Sequence, residues 1–221
     1  MHSFTTPAPI NAMLHIPAGR LQFIAADRTD TTVEVRPADP AKGRDIKAAA
    51  QVTVDYTDGV LQIRAAEPKN QYFGPSGSVE VTVQLPAGSR IQAKSASCEL
   101  RGAGRLGEVD IEGAYKQIKI DEASGLRLTA VDGDVQVGRL TGPAQITTAR
   151  GAIHITEATN GAVELRTGMG DIEIGAATGT SASLDAQTGR GRVSNALKND
   201  GTTALEIHAT TGHGDITARS L

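Results

Sequence analysis

From about residue 89 onward, apolar and polar residues alternate in short runs, and the runs recur in register. Each unit reads strand, small residue, corner, strand, short loop. The corner falls at Cys98, Lys116, Gly133, Gly151, Gly170, Gly191 and Gly214, with successive spacings of 18, 17, 18, 19, 21 and 23 residues. Glycine at five of these seven corners fits a tight turn with φ > 0. Two residues after the corner stand Leu100, Ile118, Val135, Ile153, Ile172, Val193 and Ile216, all aliphatic. Seven before it stand Ile91, Val109, Leu126, Ala144, Val163, Leu184 and Ile207, and five before it Ala93, Ile111, Leu128, Ile146, Leu165, Ala186 and Ala209. The position three before is small throughout: Ser95, Gly113, Ala130, Thr148, Thr167, Thr188 and Thr211. Residues between these columns are mostly polar. A period of two with one apolar face means strands buried on one side. A coil that cannot bury its apolar face alone must stack on its neighbours. The pattern therefore predicts an all-β chain, a single-stranded parallel β-solenoid (β-helix) of ~17–23-residue coils rising one strand spacing, ~4.8 Å, per coil.

A third apolar position, Leu106, Ala123, Leu140, Ala158, Ala177 and Leu197, adds a short side to two long faces. Residues 1–88 are strand-rich but less regular. Pro17-Ala18-Gly19 and Pro86-Ala87-Gly88 each join two strand-like runs, Asp58-Gly59 marks a turn, and Lys47-Ala48-Ala49-Ala50 has room for one helical turn. The division expected is 1–88 as irregular N-terminal β coils or a cap continuous with the solenoid, and 89–221 as the regular repeats.

The phrases IPAGRLQFIAADRTDTTVEVRP, GSVEVTVQLPAGS, TGMGDIEI and TTGHGDI occur in order along the chain. In this the sequence resembles the DUF4097 β-strand-repeat family, whose members are called "putative adhesins", and it looks most like the actinobacterial ones. The resemblance covers nearly the whole chain. It implies a parallel β-solenoid, and it brings no catalytic residue with it.

Composition sharpens this picture. The 221 residues carry a net charge of −3, with 21% charged residues, which argues against a nucleic-acid partner, since such proteins carry a basic surplus. Glycine is frequent, 25 residues, and aromatics are few, three Tyr and three Phe, the last being Tyr115. Thin repeated layers do not need large rings to fill their middle. One cysteine, Cys98, excludes an intrachain disulfide and fits a reducing compartment. No basic-then-apolar leader and no apolar run near ~20 residues is visible. The expectation is a cytoplasmic protein without membrane insertion.

Several motifs invite chemistry and lose to simpler readings. Gly102-Ala103-Gly104-Arg105-Leu106-Gly107 matches GxGxxG, with Asp121 downstream, but a strand follows where dinucleotide binding needs a helix N-terminus. Asp134, Asp171 and Asp215 follow corner glycines, yet the same column also holds Glu99, Gln117, Ala152 and Arg192, so they read as turn residues rather than calcium ligands. Glu164 and Asp185 fall in adjacent coils of one outward row, with no third group converging on them. His2, His15, His154, His208 and His213 lack zinc spacing, and Cys98 has no histidine in its coil to activate it. No catalytic, cofactor-binding or metal site is expected.

The function expected is a non-enzymatic scaffold or protein-interaction module. The alternatives are a self-assembling element of bactofilin type and, last, a carbohydrate-active β-helix enzyme. Tyr72 and Phe73 are candidate partner contacts, because aromatics favour binding hot spots. The last coil, Leu205 to Leu221, holds no proline or lysine to blunt an open edge. A tail-to-tail homodimer is expected there, with Leu205, Ile207 and Ile216 near the contact.

Overall fold

Ile118, Val135, Ile153 and Ile172 form one column in the sequence, and in space they form one stack. Ile118 pairs with Val135, Val135 with Ile153, and Ile153 with Ile172, always in parallel. Leu126, Ala144 and Val163 do the same on the other long face. All are buried. The computed structural model describes residues 1–66 and 77–221, so Tyr72 and Phe73 lie outside the described residues. The chain is an all-β solenoid in which each coil contributes one strand to each long face.

In chain order the regular coils begin with β8 (Arg90–Asp132), one extended run that bends at each corner and winds through more than two coils. Ion pairs Arg90–Glu108 and Lys94–Glu112 join its successive turns. β9 (Asp134–Leu140) completes a coil, followed by β10 (Ala144–Arg150) with β11 (Ile153–Ala158) and β12 (Gly161–Met169) with β13 (Ile172–Ala176). Two further coils follow: β14 (Ala182–Thr188) with β15 (Val193–Ala196), and β16 (Leu205–His213) with β17 (Ile216–Ser220). The short third side is closed by Leu106, Ala123, Leu140 and Ala158, all buried.

The N-terminal residues extend both faces outward. β2 (Asn11–His15) and β3 (Ala18–Ala26) form the coil beneath β8. Outside it lie β6 (Val60–Arg64) on β2 and β7 (Val79–Pro86) on β3, both parallel. β5 (Thr53–Thr57) then adds antiparallel to β6, and β4 (Asp30–Pro37) antiparallel to β7, with β1 (His2–Thr5) antiparallel to β4. The β5–β6 hairpin turns at Asp58 (φ 50°) and Gly59 (φ 79°), the two positive φ values that a two-residue hairpin loop needs. Where the sequence had room for one helical turn, α1 (Gly43–Ala50) makes two, and its buried Asp45 accepts the Ser78 N–H at 3.0 Å. Half-buried Phe4, Val35, Val54 and Tyr56 pack over this end of the core, with the Phe4 and Tyr56 rings 5.3 Å apart.

The other end differs from the expected order. β16 pairs with β12 on one side and β14 on the other, and β17 lies between β13 and β15. The chain leaves β13, skips one level to build β14 and β15, and returns to fill the gap. Leu205, Ile207 and Ile216 are therefore not an edge: each is at most 1% exposed, with a strand on either side. The physical reason is that, position for position, Leu205, Ile216 and Ala218 are larger or more apolar than the Ala182, Val193 and Asn195 they pair with in the other coil. The more apolar coil takes the inner place. Among the described residues the outermost strands at this end are β14 and β15.

Candidate functional site

The corners are the most uniform local geometry in the molecule. Gly133, Gly151, Gly170, Gly191 and Gly214 all have φ between 119° and 152°. A Cβ at Gly170 would sit 2.2 Å from the Gly151 carbonyl oxygen of the adjacent coil, so both conformation and contact demand glycine. Around these corners runs a ladder of side chains. The Thr167 hydroxyl donates to the Gly151 carbonyl at 3.0 Å, Thr211 to Gly170 at 2.9 Å, and Thr188 to Gly214 at 2.9 Å. From the following residue, Asp134 accepts the Ala152 N–H at 2.9 Å, Asp171 the Asp215 N–H at 2.7 Å, and Asp215 the Arg192 N–H at 2.8 Å. The aspartates thus tie one coil to the next, a role more specific than turn preference. Each already has an oxygen bound to a backbone donor. Among the described residues no three His, Cys, Asp or Glu side chains gather in metal-ligating geometry.

The outward rows are laced by ion pairs and hydrogen bonds between neighbouring coils. Arg101 reaches Asp121 at 3.0 Å, Arg150 reaches Asp132 at 3.4 Å, and Glu173 holds both His154 (3.0 Å) and Arg219 (3.2 Å). All these groups are substantially exposed, so each pair contributes at most about 1 kcal/mol. The GxGxxG segment lies inside β8, and Gly104 presses against the Ala25 carbonyl, where a Cβ would come within 2.0 Å. It is a place where backbones approach closely, with no helix to hold a phosphate.

Glu164 and Asp185 are not neighbours. The inserted coil places His208 between them, with Glu164 paired to His208 and His208 to Asp185 in register. His208 Nδ1 lies 3.6 Å from Asp185, while Glu164 is held by Arg166 and accepts from Gln145 Nε2 at 3.1 Å. The three side chains line one shallow outward concavity, with the imidazole in register between the two carboxylates. Cys98 is buried, and burial pushes its thiol up to about 11, so it is a neutral, inert packing group at neutral pH. Its Sγ–H points to the Ile16 carbonyl at 3.6 Å.

The sequence reading missed the Asp ladder and the unpaired end coil. For the second a signal existed in the corner spacings. They lengthen from 17–19 residues to 21 and 23 where the chain skips a level and returns. In that end coil Val193 is 46% exposed, and Leu184, Ala186 and Leu197 are half-buried, although they occupy inward positions.

Stacked parallel coils, glycine corners and ion-paired outer rows define a β-solenoid of the repeat class. More narrowly, the chain belongs to the Toastrack DUF4097 family, whose profile matches residues 20–220. Among solved structures it is similar to a "putative adhesin" from Bacteroides fragilis, 17% identical over 98% of this chain and 95% of that one, with a TM-score of 0.53. That likeness supports the fold. A "putative cell adhesion protein" from Clostridium sporogenes matches at 11% identity over 100% of this chain and 98% of that one, TM-score 0.44. A "putative adhesin" from Parabacteroides distasonis matches at 13% over 98% and 95%, TM-score 0.41. No curated protein matches the sequence. Among the described residues no helix is long and apolar enough to cross a membrane.

Proposed function

We propose that the chain is a non-enzymatic interaction module whose long outer faces serve a protein partner. The observation that carries this reading is the fate of the outward carboxylates. Glu164 is tied to Arg166 and Gln145, Asp185 faces His208, and Glu173 is shared by His154 and Arg219. A hydrolytic pair needs one acid and one base free to flank a bond, and these carboxylates are engaged by neighbouring side chains of their own or adjacent coils instead. The name of the Bacteroides fragilis neighbour points the same way. A head-to-tail filament is disfavoured by the two ends, since one is packed with Phe4 and Tyr56 while the other exposes Val193. A turnover assay against acidic and neutral polysaccharides tests the reading. No product is expected. Product release that disappears in Glu164→Gln or Asp185→Asn would overturn it in favour of an enzyme.

A further inference from the structure

The end coil is built as an interior coil, but among the described residues no strand pairs with its outer side. Among the described residues the one strand partner of β14 is β16 and that of β15 is β17, while the Ala182 N–H at the start of β14 is taken by the Lys198 carbonyl at 3.0 Å. Its inward side chains continue the columns of the stack: Leu184 lies over Ile207, Ala186 over Ala209, and Val193 over Ile216. The lower members of these pairs are at most 1% exposed, whereas Val193 is 46% exposed and Leu184 and Ala186 are half-buried. Residues 182–196 contain no proline and no lysine to blunt the two strands. The corner ladder also stops here. Asp215 bonds to the Arg192 N–H, and at the next step Arg192 stands where an aspartate would bond onward.

We propose that this end coil is a self-association surface and that its occupant is the same end coil of a second copy. A single extended peptide could pair with one free strand. A second coil end pairs with both at once and also covers Leu184, Ala186 and Val193. The opposite end of the molecule does not fit that role, because it carries antiparallel strands β1 and β5 and is already packed with Phe4 and Tyr56. Two identical surfaces meet through a two-fold axis, and such a contact closes as a dimer. Facing coils run in opposite directions. With the axis near the Gly189-Arg190-Gly191 corner, β14 of one copy therefore lies antiparallel to β15 of the other. Charge agrees with this pairing. Asp185 on β14 is acidic and its side chain 85% exposed; Arg192 at the start of β15 is basic and 90% exposed. The two-fold brings Asp185 toward Arg192 of the second copy, twice per dimer. This contact lies at the end of the stack and does not depend on whether the long faces hold a partner.

Sedimentation equilibrium of the full chain, from one to one hundred micromolar, tests it. The intact protein should move from 22.9 kDa toward twice that mass as concentration rises. Val193→Lys adds a charge at a half-exposed edge position and should remain at 22.9 kDa, with its melting temperature retained. Asp185→Arg alters a surface side chain that folding does not need, and should weaken association at least tenfold. It keeps the test open if Val193→Lys fails to fold. An intact protein that stays monomeric throughout would overturn the proposal. So would a dimer that Asp185→Arg leaves equally tight, or open-ended polymers of increasing mass.

Discussion

Gly170 and Gly179 both have positive φ, at 148° and 80°, but they sit in different surroundings. A methyl group at Gly170 would strike the Gly151 carbonyl at 2.2 Å, while at Gly179 no atom of the described residues lies within 4 Å. Gly179→Ala should therefore cost only about 1 kcal/mol, the ordinary strain of a left-handed alanine. Gly170→Ala adds displacement of the Gly151 carbonyl, which accepts the Thr167 hydroxyl, and should cost about 3 kcal/mol or more. Denaturant unfolding of the two variants measures the difference; equal losses would mean that the corners are not in close contact. At this scale the sequence was readable in part. Glycine at the corners and small residues three before them announced a tight, crowded turn. That the threonines donate to corner carbonyls and the aspartates accept from the next coil was not readable, because both bonds depend on which coil lies alongside.

Along a single strand, the inward and outward positions were fully legible. Period-two alternation fixes which side chains share a face, and a slip by one residue would expose the entire apolar set. Leu128, Ile146 and Leu165 are buried as the alternation requires, while Arg127, Gln145 and Glu164 between them line the outer face. The order of the last two coils was not legible from these columns, since Leu184 and Ile207 both fit beside Val163. Element by element, the inserted order makes a definite prediction. Ile216 is fully buried between Ile172 and Val193, so Ile216→Lys places a charge among apolar strands. It should destabilise the fold by about 3–5 kcal/mol and lower the melting temperature by on the order of 10 °C. Val193→Lys should leave the melting temperature nearly unchanged. If instead both variants melt with the intact protein, the assignment of inner and outer coils is wrong.

For the whole molecule, the repeat explains why the fold could be recognised and the function could not. Every coil uses the same few positions for packing, so the packing positions say little about what binds. Function must come from departures from the repeat. Among the described residues these are the packed N-terminal end with Phe4 and Tyr56, the ion-paired outer rows, and the open coil at β14 and β15. The central claim is that residues 205–220 lie inside the stack and residues 182–196 form its end. Hydrogen–deuterium exchange followed by peptide across a dilution series tests it most directly. Amides of 205–220 have strands on both sides and should exchange slowly at every concentration. Amides of 182–196 should exchange fast when dilute and slow down as two end coils meet. Fast exchange in 205–220 beside slow exchange in 182–196 in the dilute sample would restore a simple sequential stack and contradict the account.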